Sequence, residues 1–186
     1  MKKYRVFLVF LFFCGISCST PSEPSDPERL TFSLSEIPVI KGFYRTDAAG
    51  HILGYIGQPP EKQEFPDGVN LIIVPNYGAN VFHTEFALPF SGRVLIVVAK
   101  ASFMGYEQNT SVGGAAVLGS QKIIVRTLLN QRLEAGIFTV EWDGKDDDGY
   151  KLASGFYRIY YVTKDFTVWG DTFYAKNPGD KPPFIP

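Results

Sequence analysis

The densest cluster of potential ligand chemistry is a run of aspartates, Asp143, Asp146, Asp147 and Asp148, followed by Gly149. Carboxylates this close together invite a Ca2+ reading. The spacing does not make an EF-hand. With Gly149 at loop position six, position one is Gly144 and position twelve is Gly155, so the key ligands are absent. An irregular Ca2+ site using Asp143, Asp146 and Asp148 stands against a solvated acidic turn closed by Asx hydrogen bonds. Tyr150, Trp169, Phe173 and Tyr174 could stack on a glycan or a peptide, or simply pack in the core and at its edge.

Other chemistries lack their parts. His51 and His83 cannot supply a three-histidine zinc site, and no HExxH or CxxC occurs. No serine sits in a GxSxG elbow. Gly-rich Val112–Gly119 lacks the Lys-Ser/Thr of a phosphate loop. Glu85, Glu107 and Asp171 are carboxylates that nothing in the sequence places together. The expectation is a protein that is not an enzyme and needs no cofactor, Ca2+ at the Asp-rich loop being the exception to test.

The elements around these residues read as strands. Thr31–Ser35, Val39–Arg45, His51–Ile56, Val69–Val74, Val81–Leu88, Arg93–Ala101, Lys122–Leu129, Ile137–Trp142, Phe156–Thr163 and Phe166–Tyr174 are apolar or alternating runs. Asp47-Ala48-Ala49-Gly50, Gln58-Pro59-Pro60-Glu61 and Pro66-Asp67-Gly68 separate them. Phe82, Thr84, Phe86 and Leu88 share one face of their strand. Phe138, Val140 and Trp142 share one face of the strand entering the Asp-rich loop, and Tyr157, Ile159 and Tyr161 one face of the strand leaving it. Gln121–Glu134 could hold a turn of helix. Ser102–Ser120, with Gly105, Gly113, Gly114 and Gly119, reads as a long loop. Short strands punctuated by turns predict an all-β sandwich or barrel.

The segment Ala135–Val162 closely resembles the C-terminal half of the FlgD-type immunoglobulin-like module. Its marks are Val125-Arg126-Thr127-Leu128, Ala135-Gly136, Trp142-Asp143-Gly144, Asp146 to Gly149 and Ala153-Ser154-Gly155-Phe156-Tyr157. Pro75-Asn76-Tyr77, Thr84 to Phe86 and Leu88-Pro89 correspond to its upstream half, without that family's second proline. The resemblance implies an immunoglobulin-like (FlgD-type) antiparallel β-sandwich over 69–175, preceded by an N-terminal β-hairpin extension over 30–68. It also implies a structural or interaction role, as in bacterial surface and secreted proteins; hook-capping, which such modules also serve, does not suit a chain anchored by lipid at its N-terminus and without a second region for hook binding.

The N-terminus reads as an export signal. Basic Met1-Lys2-Lys3-Tyr4-Arg5 precedes the apolar run Val6–Phe13, then Gly15-Ile16-Ser17-Cys18. The run falls short of the roughly 20 residues of a spanning helix. Gly15-Ile16-Ser17-Cys18 resembles a bacterial lipobox, with Gly15 where an aliphatic residue is usual. That resemblance implies cleavage after residue 17, acylation of Cys18 and a membrane partner through the lipid. Residues 18–29, rich in Pro and Ser, read as a tether, and 176–186 as a Pro-rich tail. Ser19 after the cysteine suits sorting to the outer membrane. A lipoprotein in the cell envelope follows, presenting its module to an envelope or surface protein. The rival is a glycan- or calcium-binding surface lipoprotein.

Composition is consistent with this. The 186 residues carry a net charge of −1, which excludes a strongly basic nucleic-acid binder. Cleavage before Cys18 would remove Lys2, Lys3 and Arg5 and leave a more acidic chain with no cysteine beyond the acylated Cys18. Such a core has to hold without disulfides.

Overall fold

A computed structural model describes residues 29–46, 52–60, 62–76, 81–104, 122–177 and 179–180. The regular elements are strands: β1 (Val39–Ile40), β2 (Gly42–Thr46), β3 (Ile52–Gly57), β4 (Asn70–Asn76), β5 (Val81–Leu88), β6 (Gly92–Lys100), β7 (Ser102–Phe103), β8 (Ile124–Leu133), β9 (Gly136–Trp142), β10 (Gly155–Val162) and β11 (Thr167–Tyr174). Cys18 and residues 105–121 lie outside the described residues.

Two antiparallel sheets face each other. One has the order β11-β10-β6-β8, the other β4-β5-β9. This split is that of an immunoglobulin-like sandwich. Alternation along each strand supplies the inner layer. Phe82, Phe86 and Leu88 of β5 meet Val94, Ile96 and Val98 of β6, and Tyr157, Ile159 and Tyr161 of β10. Phe138 and Val140 pack at the margin of this core, and Trp142 is fully buried within it. Aromatic contacts knit the sheets together: Trp142 lies 5.0 Å from Tyr157 and 5.3 Å from Phe82, centroid to centroid. Such pairs add about 0.5–1.5 kcal/mol beyond the area they bury.

Every residue of β10 is buried, so its sheet is covered on both faces. The second cover is the N-terminal part of the chain. Leu30, Phe32 and Leu34 pack on Leu95, Val97, Tyr160 and Val162. Phe43 and Ile56 of the β2–β3 hairpin pack around Ile40, Phe103 and Phe156. A short parallel pairing of β1 with β7 ties this layer to the sandwich. The molecule therefore has three layers where alternation alone suggested two.

Four expectations change. Thr31–Ser35 is not a strand: its alternating apolar residues lie on the sheet face and join no ladder. Val39–Arg45 divides into β1 and β2, which pair with different partners. Ser102–Phe103, assigned to the loop, forms β7. Gln121–Glu134 holds no helical turn over its described residues; Ile124–Leu133 is a strand paired along β6, where sheet hydrogen bonding overrides a weak helical pattern.

Candidate interaction surface

The Asp-rich segment folds into a tight clasp between β9 and β10. The buried Trp142 indole N–H donates to the Lys145 carbonyl at 3.0 Å. Gly144 then turns with φ +72°, directly over the Tyr174 ring. Asp143 Oδ1 accepts from the Lys145 amide at 3.2 Å, and its Oδ2 lies 2.6 Å from the Lys145 ammonium. Asp146 Oδ1 accepts the amides of Asp148 (3.1 Å) and Tyr150 (2.8 Å), an Asx-type closure. Gly149, with φ +84°, donates to the Asp146 carbonyl.

Asp147 points the other way, toward β8. Its Oδ1 accepts the Thr127 amide at 2.8 Å, and its Oδ2 meets Lys122 Nζ at 2.9 Å. Its own amide donates to the Val125 carbonyl at 3.0 Å. Arg126 adds a bond to the Asp146 carbonyl at 2.8 Å. Burial opposes ionisation of Asp147, but the Thr127 amide and Lys122 outweigh it and hold the carboxyl below its ordinary range. Asp143 follows the same pattern: burial raises it, and Lys145 more than compensates. Among the described residues, no three His, Cys, Asp or Glu side chains are grouped to hold a metal ion.

The aromatic candidates do not form one platform. Tyr150 is exposed on the clasp. Tyr174 is fully buried on the inner face of β11, 5.5 Å from Trp142. Trp169 lies on the outer face of the same strand, because an odd separation reverses direction in a strand.

Trp169 belongs to a polar cluster that sequence reasoning missed. Arg158 of β10 is 8% exposed and grips Asp171 of β11 in a fork, Nε to Oδ1 at 2.6 Å and Nη2 to Oδ2 at 3.0 Å. The two residues are opposite each other in the register. The Arg158 guanidinium carbon sits 5.0 Å from the Trp169 ring centroid. Burial works against the Arg158 charge, and Asp171 overrides it, holding the pKa above its ordinary value. The available signal was a lone arginine alternating with Phe156 and Tyr160.

Both edges of the four-stranded sheet are capped at one point, by a side chain on β11 and by the side chain and backbone amide of one residue on β8. On β11, Gln63 Oε1 accepts the Trp169 amide at 2.8 Å, and Gln63 Nε2 donates to the Trp169 carbonyl at 2.6 Å. On β8, Asp147 plays the corresponding part at Val125 and Thr127. Each mimics a neighbouring strand and blunts the edge.

What remains outward is the far face of the three-stranded sheet, its edges, and one end of the sandwich. The face carries Ile72, Glu85, Ile137, Thr139 and Glu141, with His83 Nδ1 3.2 Å from Glu141 Oε1. Ile137 is 72% exposed. At the end, the β5–β6 and β10–β11 turns line a shallow depression that includes Phe90, Arg93, Lys164 and Phe166. Phe90 is 80% exposed.

Comparison with known proteins adds two findings. The FlgD Ig-like domain family matches residues 102–165. Over 140 residues the chain is 26% identical to the basal-body rod modification protein FlgD of Salmonella typhimurium, covering 75% of this chain and 58% of that protein. The basal-body rod modification protein FlgD of Salmonella typhi gives the same figures. The chain thus spans less than two thirds of the length of the curated relatives it matches.

Proposed function

We propose that this chain is a non-catalytic structural module that binds another protein, carried at the cell envelope on an acylated Cys18. The similarity to FlgD over 140 residues supports the structural role, because the name of that protein ties it to the modification of a basal-body rod. The inward use of the loop carboxylates fits the same reading: Asp143, Asp146 and Asp147 are engaged in holding the chain's own backbone and lysines. In this reading residues 1–17 are an export signal, 18–29 a tether, 30–68 an extension of the sandwich and 176–186 a tail. The outer membrane is the proposed location.

Labelled palmitate tests the anchor. Incorporation lost in Cys18→Ala, together with release of the chain from the membrane fraction, is the expected result. Incorporation that persists in that variant removes the anchor from the proposal.

A second reading, a scaffold in a flagellar structure, draws on the same similarity. Purified basal bodies separate the two. Co-purification of the chain with them favours the scaffold, and recovery with outer-membrane lipoproteins favours the anchored envelope module.

A further inference from the structure

We propose that the outer edge of β9 receives an extended polypeptide strand from a partner protein. This rests on the reading of the chain as a protein-binding module and says where the binding occurs.

A sheet edge presents a row of backbone N–H and C=O groups that an added strand can satisfy. On the four-stranded sheet, Gln63 brackets Trp169 on β11, and Asp147 brackets Val125 and Thr127 on β8. Each of those edges is therefore blocked at one point from within the chain. On the three-stranded sheet, β4 contains Pro75 within its ladder with β5. Proline has no N–H to offer, and within a sheet it belongs at an edge where that donor is not needed. An incoming strand would therefore lack a donor at the penultimate residue of β4.

β9 differs on each count. Its ladder with β5 runs unbroken from Gly136 to Trp142, it holds no proline, and no described residue pairs with its other side. Ile137, Thr139 and Val140 are β-branched and suit strand pairing.

The side chains define what would fit. Phe138 and Val140 face inward at the margin of the core and are only partly buried. A partner strand would cover them with apolar side chains. The opposite face of β9 carries Ile137, Thr139 and Glu141, beside Glu85 on β5. The described side chains on that face include two glutamates, Glu85 and Glu141, the latter 3.2 Å from His83 Nδ1, and no lysine or arginine. The partner is thus an amphipathic β-strand, apolar on one face and basic on the other. A second copy of this chain fits less well. Antiparallel self-pairing centred on Thr139 sets exposed Ile137 against Glu141 of the copy, an apolar group against a charge.

The test uses the purified full chain and a capped peptide of seven residues alternating valine with lysine. Amide exchange is followed by mass spectrometry. The expected result is roughly tenfold slower exchange over Gly136–Trp142, without change in β8 or β11. Glu141→Lys, a change at an exposed position, should weaken the effect about tenfold. Protection at β8 or β11 instead, or none at β9, overturns the proposal. So does a concentration-dependent dimer abolished by Ile137→Lys, since the edge would then serve a second copy.

A photo-crosslinking residue placed in cells at position 137 or at position 90 separates this inference from the reading beneath it. Protein adducts at 137 support both. Adducts at 90 but none at 137 overturn the β9 assignment and leave the module reading intact. Adducts at neither position count against both.

Discussion

The carboxamide of Gln63 closes on the backbone of Trp169 from a separation of 106 residues, accepting its N–H and donating to its C=O. A side chain here takes the place of a strand. The arrangement fastens the N-terminal layer to the edge of the sandwich and hides that edge from other chains.

Gln63→Ala removes both bonds. Each is worth about 0.5–1.5 kcal/mol net. The expected outcome is a loss of roughly 1–3 kcal/mol in urea unfolding, with new self-association visible by sedimentation. Gln63→Glu keeps the acceptor and loses the donor, so it should fall between the two. A monomeric Gln63→Ala protein of unchanged stability would show that the cap does neither job.

Arg158 and Asp171 form a largely buried pair, with side chains 9% and 19% exposed. Removing one partner leaves the other charge without its counterion. Asp171→Ala should cost about 3–5 kcal/mol, whereas the double change Arg158→Met with Asp171→Leu should cost far less. A double-mutant cycle by chemical denaturation measures the difference. Equal losses in the single and double variants would contradict the pairing.

Stability should fall at both ends of the pH scale. Asp143 and Asp147 have lowered folded-state pKa values, so their contribution is present above the unfolded carboxylate range of about 4 and is lost as pH falls below it. Tyr157 and Tyr161 are raised by burial, Tyr161 to about 12. Their contribution is full below the unfolded value of about 10 and is lost as pH rises through the folded values. Asp147→Asn keeps an acceptor for Thr127 without the charge and should flatten the acid limb of the urea-midpoint profile.

The sandwich was legible in the sequence because alternation reports which face of a strand is buried. Val81–Leu88 showed it most plainly, and the strand forms over those residues. The glycines of the clasp were legible too, since Gly144 and Gly149 take the positive φ their turns require. The third layer was not. Leu30, Phe32 and Leu34 alternate as a strand would, but they bury one side against an existing sheet and hydrogen-bond into no ladder. Nor were the edge caps, because Gln63 and Trp169 carry no local signal of each other. The aromatic platform of Tyr150, Trp169, Phe173 and Tyr174 does not form for a countable reason. Trp169 and Tyr174 stand an odd number of positions apart on one strand, so they face opposite ways.

Tyr174 is fully buried, and its hydroxyl finds no hydrogen-bond partner among the described residues. A buried hydroxyl left unpaired costs about 1–3 kcal/mol. Tyr174→Phe keeps the ring against Trp142 and Phe82 and removes that penalty. It should raise the unfolding free energy by about 1 kcal/mol. Gly144→Ala acts on the same contact from above. An added Cβ would meet the Tyr174 ring at a backbone angle that side chains rarely adopt, so a loss of about 1–3 kcal/mol is expected. Thermal unfolding of the two single variants and the double variant separates the effects. If the clash with the hydroxyl contributes, the glycine change should cost less in the phenylalanine background. If the backbone angle and the ring alone govern it, the gain from the phenylalanine and the loss from the alanine should simply add.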